Sequence, residues 1–261
     1  MFTIKKKHRV YITGDCHADW HRLSSDGFPD QKDLTKDDFL IICGDFGLWH
    51  DTKTERWWFD WLNEKSYTVL FVDGNHENFD RLNGGEFEVV DFHGGKAHKI
   101  RENIYHLMRG YLFELCGKTF FTFGGAQSHD ISDGILDERD FKTHDEFLKT
   151  VNRMYNEGKM IRVNHLSWWK EELPSDDEMN TALQTLSACR NNVDYIITHC
   201  APQTIADKIS NGWYQPDRLT DFLDSIADST RFKGWYLGHY HINSVVDKKY
   251  HILYETIERV V

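Results

Sequence analysis

Positive charge is what this chain has too little of. Its 261 residues include 31 Lys or Arg against 42 Asp or Glu, a formal charge of −11 at pH 7. That balance argues against broad, sequence-independent binding along a nucleic-acid backbone, which depends on many Lys and Arg contacts to phosphate. A small anionic substrate stays open, because bound metal ions reverse the local sign. Proline is scarce, with four in the chain, and no Pro- or Ser-rich stretch marks a linker. With no internal repeat either, one domain over residues 1–261 is expected. Apolar runs are short. "FLIIC" (39–43) and "VLFV" (69–72) are the longest, far below the roughly 20 residues that a membrane span needs. The basic N-terminus, "MFTIKKKHRVYITGD", lacks the apolar stretch of a signal peptide. The five cysteines (Cys16, Cys43, Cys116, Cys189 and Cys200) form no C-x-x-C pair and read as free thiols in a reducing compartment. A cytoplasmic protein with no membrane partner is expected.

What is present is a set of five short β-branched or aromatic runs: "VYIT" (10–13), "FLIIC" (39–43), "TVLFV" (68–72), "YIIT" (195–198) and "WYL" (235–237). Continuous apolar runs of this length suit strands covered on both faces by other layers. Between them, "TKTERWWFDWLNEK" (52–65) sets Trp57, Trp58, Trp61 and Leu62 at helical spacing. "LFELCGKTFFTF" (112–123) reads as a hairpin turning at Gly117-Lys118, and "VVDKKYHILYET" (245–256) as another. The fold class is therefore α/β, mixing crossovers with antiparallel hairpins. The stretch 129–180 differs. It is charged, it holds a helix predicted over 137–158, and it reads as a solvated or lid-like insertion.

The residues that follow each apolar run carry the chemistry. "VYIT" leads into Gly14-Asp15-Cys16-His17, "FLIIC" into Gly44-Asp45, and "TVLFVD" into Gly74-Asn75-His76-Glu77. "YIIT" leads into His199 and "WYL" into Gly238-His239-Tyr240-His241. Asp15 and Asp45 are 30 residues apart, as are Asp45 and Asn75, and a βαβ unit takes about 30 or more. Successive parallel strands would bring these side chains to one C-terminal rim, where open α/β sheets place their sites. Strand alternation turns Cys16 away from them. Asp, His and Asn without a Cys ligand suit divalent Mn, Fe, Zn, Co or Ni. Seven ligands exceed one tetrahedral site and fit two ions that share a carboxylate.

The set "GDCH … GD … GNHE … H … GHYH", spanning 14–241, resembles the calcineurin-like metallophosphoesterase superfamily. "WWFDWL", "GNHENFD", "FTFGGAQS" and "SWWKEELP" further resemble a bacterial and phage branch of it, although the stretch between Ser128 and Trp168 is longer here. The resemblance implies a four-layer α/β/β/α sandwich with mixed sheets and two divalent metal ions, manganese first. Asp15, His17 and His241 would hold one metal, Asn75, His199 and His239 the other, and Asp45 both. A metal-bridging hydroxide would attack phosphorus, and His76 would protonate the leaving group or stabilise the transition state. The protein Ser/Thr phosphatases of the superfamily carry a phosphate-gripping Arg after the second motif, and "GDFGLWHD" has none. Arg81, Arg139 and His50 are the candidates for substrate binding, and Trp168 and Trp169 for stacking on a base or for core packing.

Two other strings fail as motifs. "GDFG" has no Gly-rich loop or H-R-D with it, and "GKT" (117–119) lacks the first glycine of a P-loop. The expected function is hydrolysis of a phosphomonoester or small nucleotide. The alternatives are a phosphodiesterase or nuclease, less favoured on an acidic chain, and a non-catalytic scaffold that retained the fold.

Overall fold

The computed structural model describes residues 7–261; the first six residues of the basic N-terminus lie outside them. In chain order the strands are β1 (Val10–Thr13), β2 (Phe39–Cys43), β3 (Thr68–Val72), β4 (Glu88–Phe92), β5 (Gly95–Arg101), β6 (Ile104–Leu107), β7 (Tyr111–Leu115) and β8 (Lys118–Phe123). After these come β9 (Gly134–Leu136), β10 (Ile161–Val163), β11 (Tyr195–Thr198), β12 (Gly234–Leu237), β13 (Ser244–Val246), β14 (Tyr250–Ile252) and β15 (Ile257–Arg259). The α-helices are α1 (Lys53–Asn63), α2 (Phe79–Asn83), α3 (His144–Asn156), α4 (Asp176–Ala188), α5 (Gln203–Ser210) and α6 (Arg218–Ser229).

One sheet runs β15-β1-β2-β3-β6-β5-β4, with β1, β2, β3 and β6 parallel and both edges antiparallel. The other runs β13-β14-β12-β11-β8-β7, with β8, β11, β12 and β14 parallel. Side-chain alternation then builds three apolar cores. Val10, Ile12, Phe39, Ile41 and Leu70 of the first sheet meet Phe113, Phe120, Ile197 and Tyr236 of the second. The opposite faces of the same strands, with Tyr11, Leu40, Ile42 and Phe71, pack on Phe59 and Leu62 of α1. Phe121, Ile196, Trp235 and Leu237 pack on Leu186 of α4, Ile205 of α5 and Leu223 of α6. Three cores between four layers make the α/β/β/α sandwich, and every residue of β1, β2, β3 and β12 is buried.

Both expected hairpins form. β7 and β8 turn at Cys116-Gly117, one residue before the expected Gly117-Lys118, because Lys118 already pairs with Leu115; both φ angles are positive (51° and 72°), the backbone of a tight two-residue turn. The second hairpin, β13–β14, turns at Asp247-Lys248 and ends at Ile252, short of the expected 256. The helix predicted over 137–158 is shorter, because Glu138–Asp140 is a 3₁₀ turn and α3 starts at His144, capped by the Thr143 side chain. Helix α1 buries Phe59 and Leu62 but leaves Trp57 58% exposed, so the tryptophan stripe is only partly a core face. The stretch 129–180 contains β9, α3 and β10, and its last residues already begin α4, which packs on the second sheet. Among the described residues no helix is long and apolar enough to cross a membrane.

Candidate metal centre

Parallel pairing aligns the C-terminal ends of β1, β2 and β3, so Asp15, Asp45 and Asn75 leave one rim together. The second sheet meets that rim through His199, whose Nδ1 lies 2.7 Å from the Cys43 carbonyl. A carbonyl can only accept, so His199 Nδ1 carries a proton, and Nε2 is the nitrogen that could bind a cation once it gives up its own. Nε2 lies 3.2 Å from Asn75 Oδ1 and 3.4 Å from Asp45 Oδ2. The Asn75 amide donates its Nδ2 to Ser128 Oγ at 3.2 Å, which turns Oδ1 toward His199. An imidazole nitrogen, an amide oxygen and a carboxylate oxygen thus converge in a buried space, where a positive charge, whether a proton on Nε2 or a metal ion, offsets the buried carboxylate.

The other side of Asp45 has the same character. His17 Nε2 and His241 Nε2 are 2.9 Å apart, His241 Nε2 is 3.1 Å from Asp15 Oδ2, and His17 Nε2 is 3.6 Å from Asp45 Oδ2. Asp15, His17 and His241 form one group able to hold a metal ion, and Asp15, Asp45 and His199 form another. The third group is His17, Asp45 and His76. The donor set (carboxylates, imidazoles and one amide oxygen) fits divalent cations of the harder or borderline kind.

The field agrees with that fit. Burial opposes ionisation of Asp15 and Asp45, yet His17, His199 and His241 hold Asp15, and His199, His76 and His17 hold Asp45, well below the usual carboxylate range. Burial also opposes a charge on His199, but Asp45 and Asp15 push it up to about 10. The cradle is a buried negative pair that favours positive charge.

Backbone strain collects at the same place. Asp45, His17, His239 and His241 have φ values of 46°, 47°, 69° and 50°, a left-handed region that non-glycine residues rarely enter and that clusters at functional sites. Two glycines are explained by close approach: a Cβ at Gly74 would strike the Asp45 carboxylate, and one at Gly238 would strike that of Asp15. The backbone N–H groups also hold the ligands. His239 N donates to both Asp15 oxygens at 2.9 and 3.1 Å, and His76 N donates to Asp45 Oδ1 at 3.0 Å.

A buried layer supports the rim. Ser128 Oγ donates to Glu172 Oε2 at 2.7 Å, and Glu172 Oε1 accepts from Ser128 N at 3.0 Å and Trp168 Nε1 at 2.9 Å. Behind Asn75, Asp73 accepts from Arg109 Nε at 2.9 Å, and Arg109 also reaches the Glu171 carbonyl at 2.8 Å. The end of the 129–180 stretch is therefore tied to the Asn75 turn through two hydrogen-bonded routes.

The expected ligands converge with one difference. His239 stacks edge-on against His199 with centroids 4.9 Å apart, but its Nε2 lies 3.0 Å from His129 Nε2 and it belongs to none of the three groups. His76 stands beside His17, with ring centroids 5.4 Å apart, and burial lowers its pKa. His50 lines a cavity of about 140 Å3 together with His76, Trp49, Arg162 and Leu166.

The arginine expectations need correction. Arg81 is engaged by Glu55 at 2.5 Å and Glu86 at 2.7 Å, which aim its guanidinium away from the rim. Arg139 is 78% exposed and folds back on Asp137. The cation beside the rim is Arg162 of β10, which lines the cavities shared with His76, Asp45 and Asn75 and is held by Asp130 at 2.6 Å. Arg162 and His129 were not anticipated. Neither follows a core strand, and only the β9–β10 pairing across α3 carries Arg162 there.

The tryptophans take the packing role. Trp169 is buried and donates to Asp80 at 2.8 Å, and Trp168 donates to Glu172. Both indole N–H groups are thus committed within the chain. Of the two expected roles, core packing and anchoring holds.

Comparison with known proteins now has geometry to meet. A sequence model described as calcineurin-like phosphoesterase matches residues 8–243, which contain every residue of the rim. No curated protein matches the chain.

Proposed function

The chain belongs to the calcineurin-like phosphoesterase family, whose chemistry is metal-dependent hydrolysis of phosphoesters, and from that premise we propose a dinuclear enzyme acting on a phosphomonoester or small nucleotide. The observation that carries the proposal is Asp45. Its Oδ2 lies 3.6 Å from His17 Nε2 and 3.4 Å from His199 Nε2, so one carboxylate oxygen faces both cradles. Asp15, His17 and His241 would hold one cation, Asn75, His199 and His239 the second, and Asp45 both. When bound, such cations supply Lewis acidity to phosphoryl oxygens and lower the pKa of a bound water toward neutrality.

The chain's own side chains do the rest. Arg162, oriented by Asp130, offers guanidinium N–H groups to the phosphoryl oxygens beside the rim. His76 faces the same space, its backbone N–H donating to Asp45, and its imidazole would hydrogen-bond the departing oxygen and, when protonated, pass it a proton. Glu172 and Ser128 keep the Asn75 amide oxygen aimed inward, a supporting role that metal sites depend on. The 129–180 stretch, which supplies Asp130, Arg162 and Glu172, acts as a lid-like wall over the rim.

The test is hydrolysis of matched chromogenic mono- and diesters by protein stripped and reloaded with manganese, with Asp45→Asn as control. A higher kcat/KM for the monoester upholds the proposal. Preference for the diester would replace it with a phosphodiesterase. No turnover of either with metal bound would move the weight to the scaffold reading.

A further inference from the structure

Beside the rim lies a second cavity, of about 390 Å3, walled by Trp213, Tyr214, Met160, His129, Gln127 and Gln215. Its size is in the range of small-molecule sites, unlike the cavity of about 140 Å3 over His76. It is continuous with the metal centre through His129, whose Nε2 is 3.0 Å from that of His239. From there rings step outward: His239 to His129 at 5.1 Å, His129 to Tyr214 at 4.7 Å and 38°, and Tyr214 to Trp213 at 6.1 Å and 37°.

Trp213 is 80% exposed, an indole face with almost nothing on it, which is unusual for so large an apolar group. The backbone that carries it is nevertheless held. Ser210 Oγ accepts from the backbone N–H groups of Trp213 and Tyr214 at 3.1 and 3.3 Å, and Gln203 donates to the Tyr214 carbonyl at 2.9 Å. The Gln127 and Gln215 side-chain amides, each a donor and an acceptor, have no partner within the described chain.

Resting on the phosphoester reading above, we infer that this cleft is the subsite for a nucleobase, so that the substrate is a single nucleoside phosphate. An exposed indole on an anchored backbone suits a planar ring, since stacking tolerates every base. Two free amides suit the polar edge of a base better than they suit an alkyl chain. The net charge of −11 disfavours a long polynucleotide and leaves a mononucleotide, whose one phosphate sits at the rim.

The experiment compares steady-state hydrolysis of the four ribonucleoside 5′-monophosphates with that of ribose 5-phosphate, which has the same phosphate and no base. Manganese-loaded wild type, Trp213→Ala and Trp213→Phe are used. At least one nucleotide should exceed ribose 5-phosphate by about tenfold or more in kcat/KM. Trp213→Ala should remove most of that advantage through KM, and Trp213→Phe should keep part of it. Equal kcat/KM for nucleotide and ribose 5-phosphate overturns the subsite and leaves phosphoester hydrolysis standing. If nothing is turned over, the hydrolase reading has failed separately, and calorimetric titration with the parent nucleosides decides. Binding that Trp213→Ala abolishes upholds the subsite, and absence of binding to wild type overturns it.

Discussion

At the sheet rim, Asp15, Asp45, Asn75 and His199 each follow a buried strand within three residues and are themselves buried, whereas Arg162 and His129 reach the same space, and Trp213 the cavity beside it, from segments outside both large sheets. The rim residues are positioned by backbone: parallel register sets their spacing, glycines let them close up, and N–H groups hold their carboxylates. The wall residues are positioned by side chains, with Asp130 steering Arg162 and Ser210 pinning the Trp213 loop. The difference teaches a division of labour. On the proposed reading, chemistry common to the family would sit where the fold dictates geometry, and recognition of a particular substrate on segments the fold leaves free.

Substitutions at the two places should therefore fail differently. Asp45→Asn is expected to have the largest effect, roughly 10^4-fold or more in kcat/KM, together with loss of bound metal measured by elemental analysis. An active, metal-replete Asp45→Asn protein would dissolve the distinction between rim and wall. His76→Ala should lower kcat by roughly 10^2–10^3-fold with metal content intact, most severely for poor leaving groups. Equal loss for good and poor leaving groups would remove the proton from its role.

Wall substitutions come next and should appear in KM. Arg162→Ala should raise KM by about 10- to 100-fold through the lost charge-assisted contacts to phosphate, and Arg162→Lys should recover part of it. A kcat effect without a KM effect would move Arg162 into the chemistry. Ser128→Ala tests the seam between the two regions, because it frees the Asn75 amide and leaves Glu172 buried without that donor. Metal affinity should fall by about tenfold, read by chelator competition. Arg139→Ala is expected to change neither kcat/KM nor stability beyond about 0.5 kcal/mol, as its guanidinium meets only Asp137 and solvent.

The same division explains what the sequence disclosed. Ligand-type residues directly after apolar runs, at 30-residue spacing, need only parallel pairing to converge, so their meeting at one rim was legible, while the His239–His129 contact was not. The β4–β5–β6 meander was missed. β4 is mostly exposed, so its sequence "EVVDF" carries no continuous apolar signal. Strand β15 pairs with β1 across nearly the whole chain, which no local pattern reports. The wall was misread for a related reason. An arginine in sequence does not say whether a carboxylate already holds it, and Glu55 and Glu86 hold Arg81. Trp213 drew no notice, because its exposure follows from a loop between α5 and α6.

The shared role of Asp45 is the centre of the account, and metal stoichiometry measured alongside rate tests it most directly. Chelator-stripped protein is titrated with manganese while bound metal and monoester hydrolysis are followed in the same samples. The account predicts that the rate climbs until two ions are bound per chain, and that Asp45→Asn falls short in both metal and rate. Full rate at one ion per chain, or an Asp45→Asn protein that keeps two ions and its activity, would contradict it.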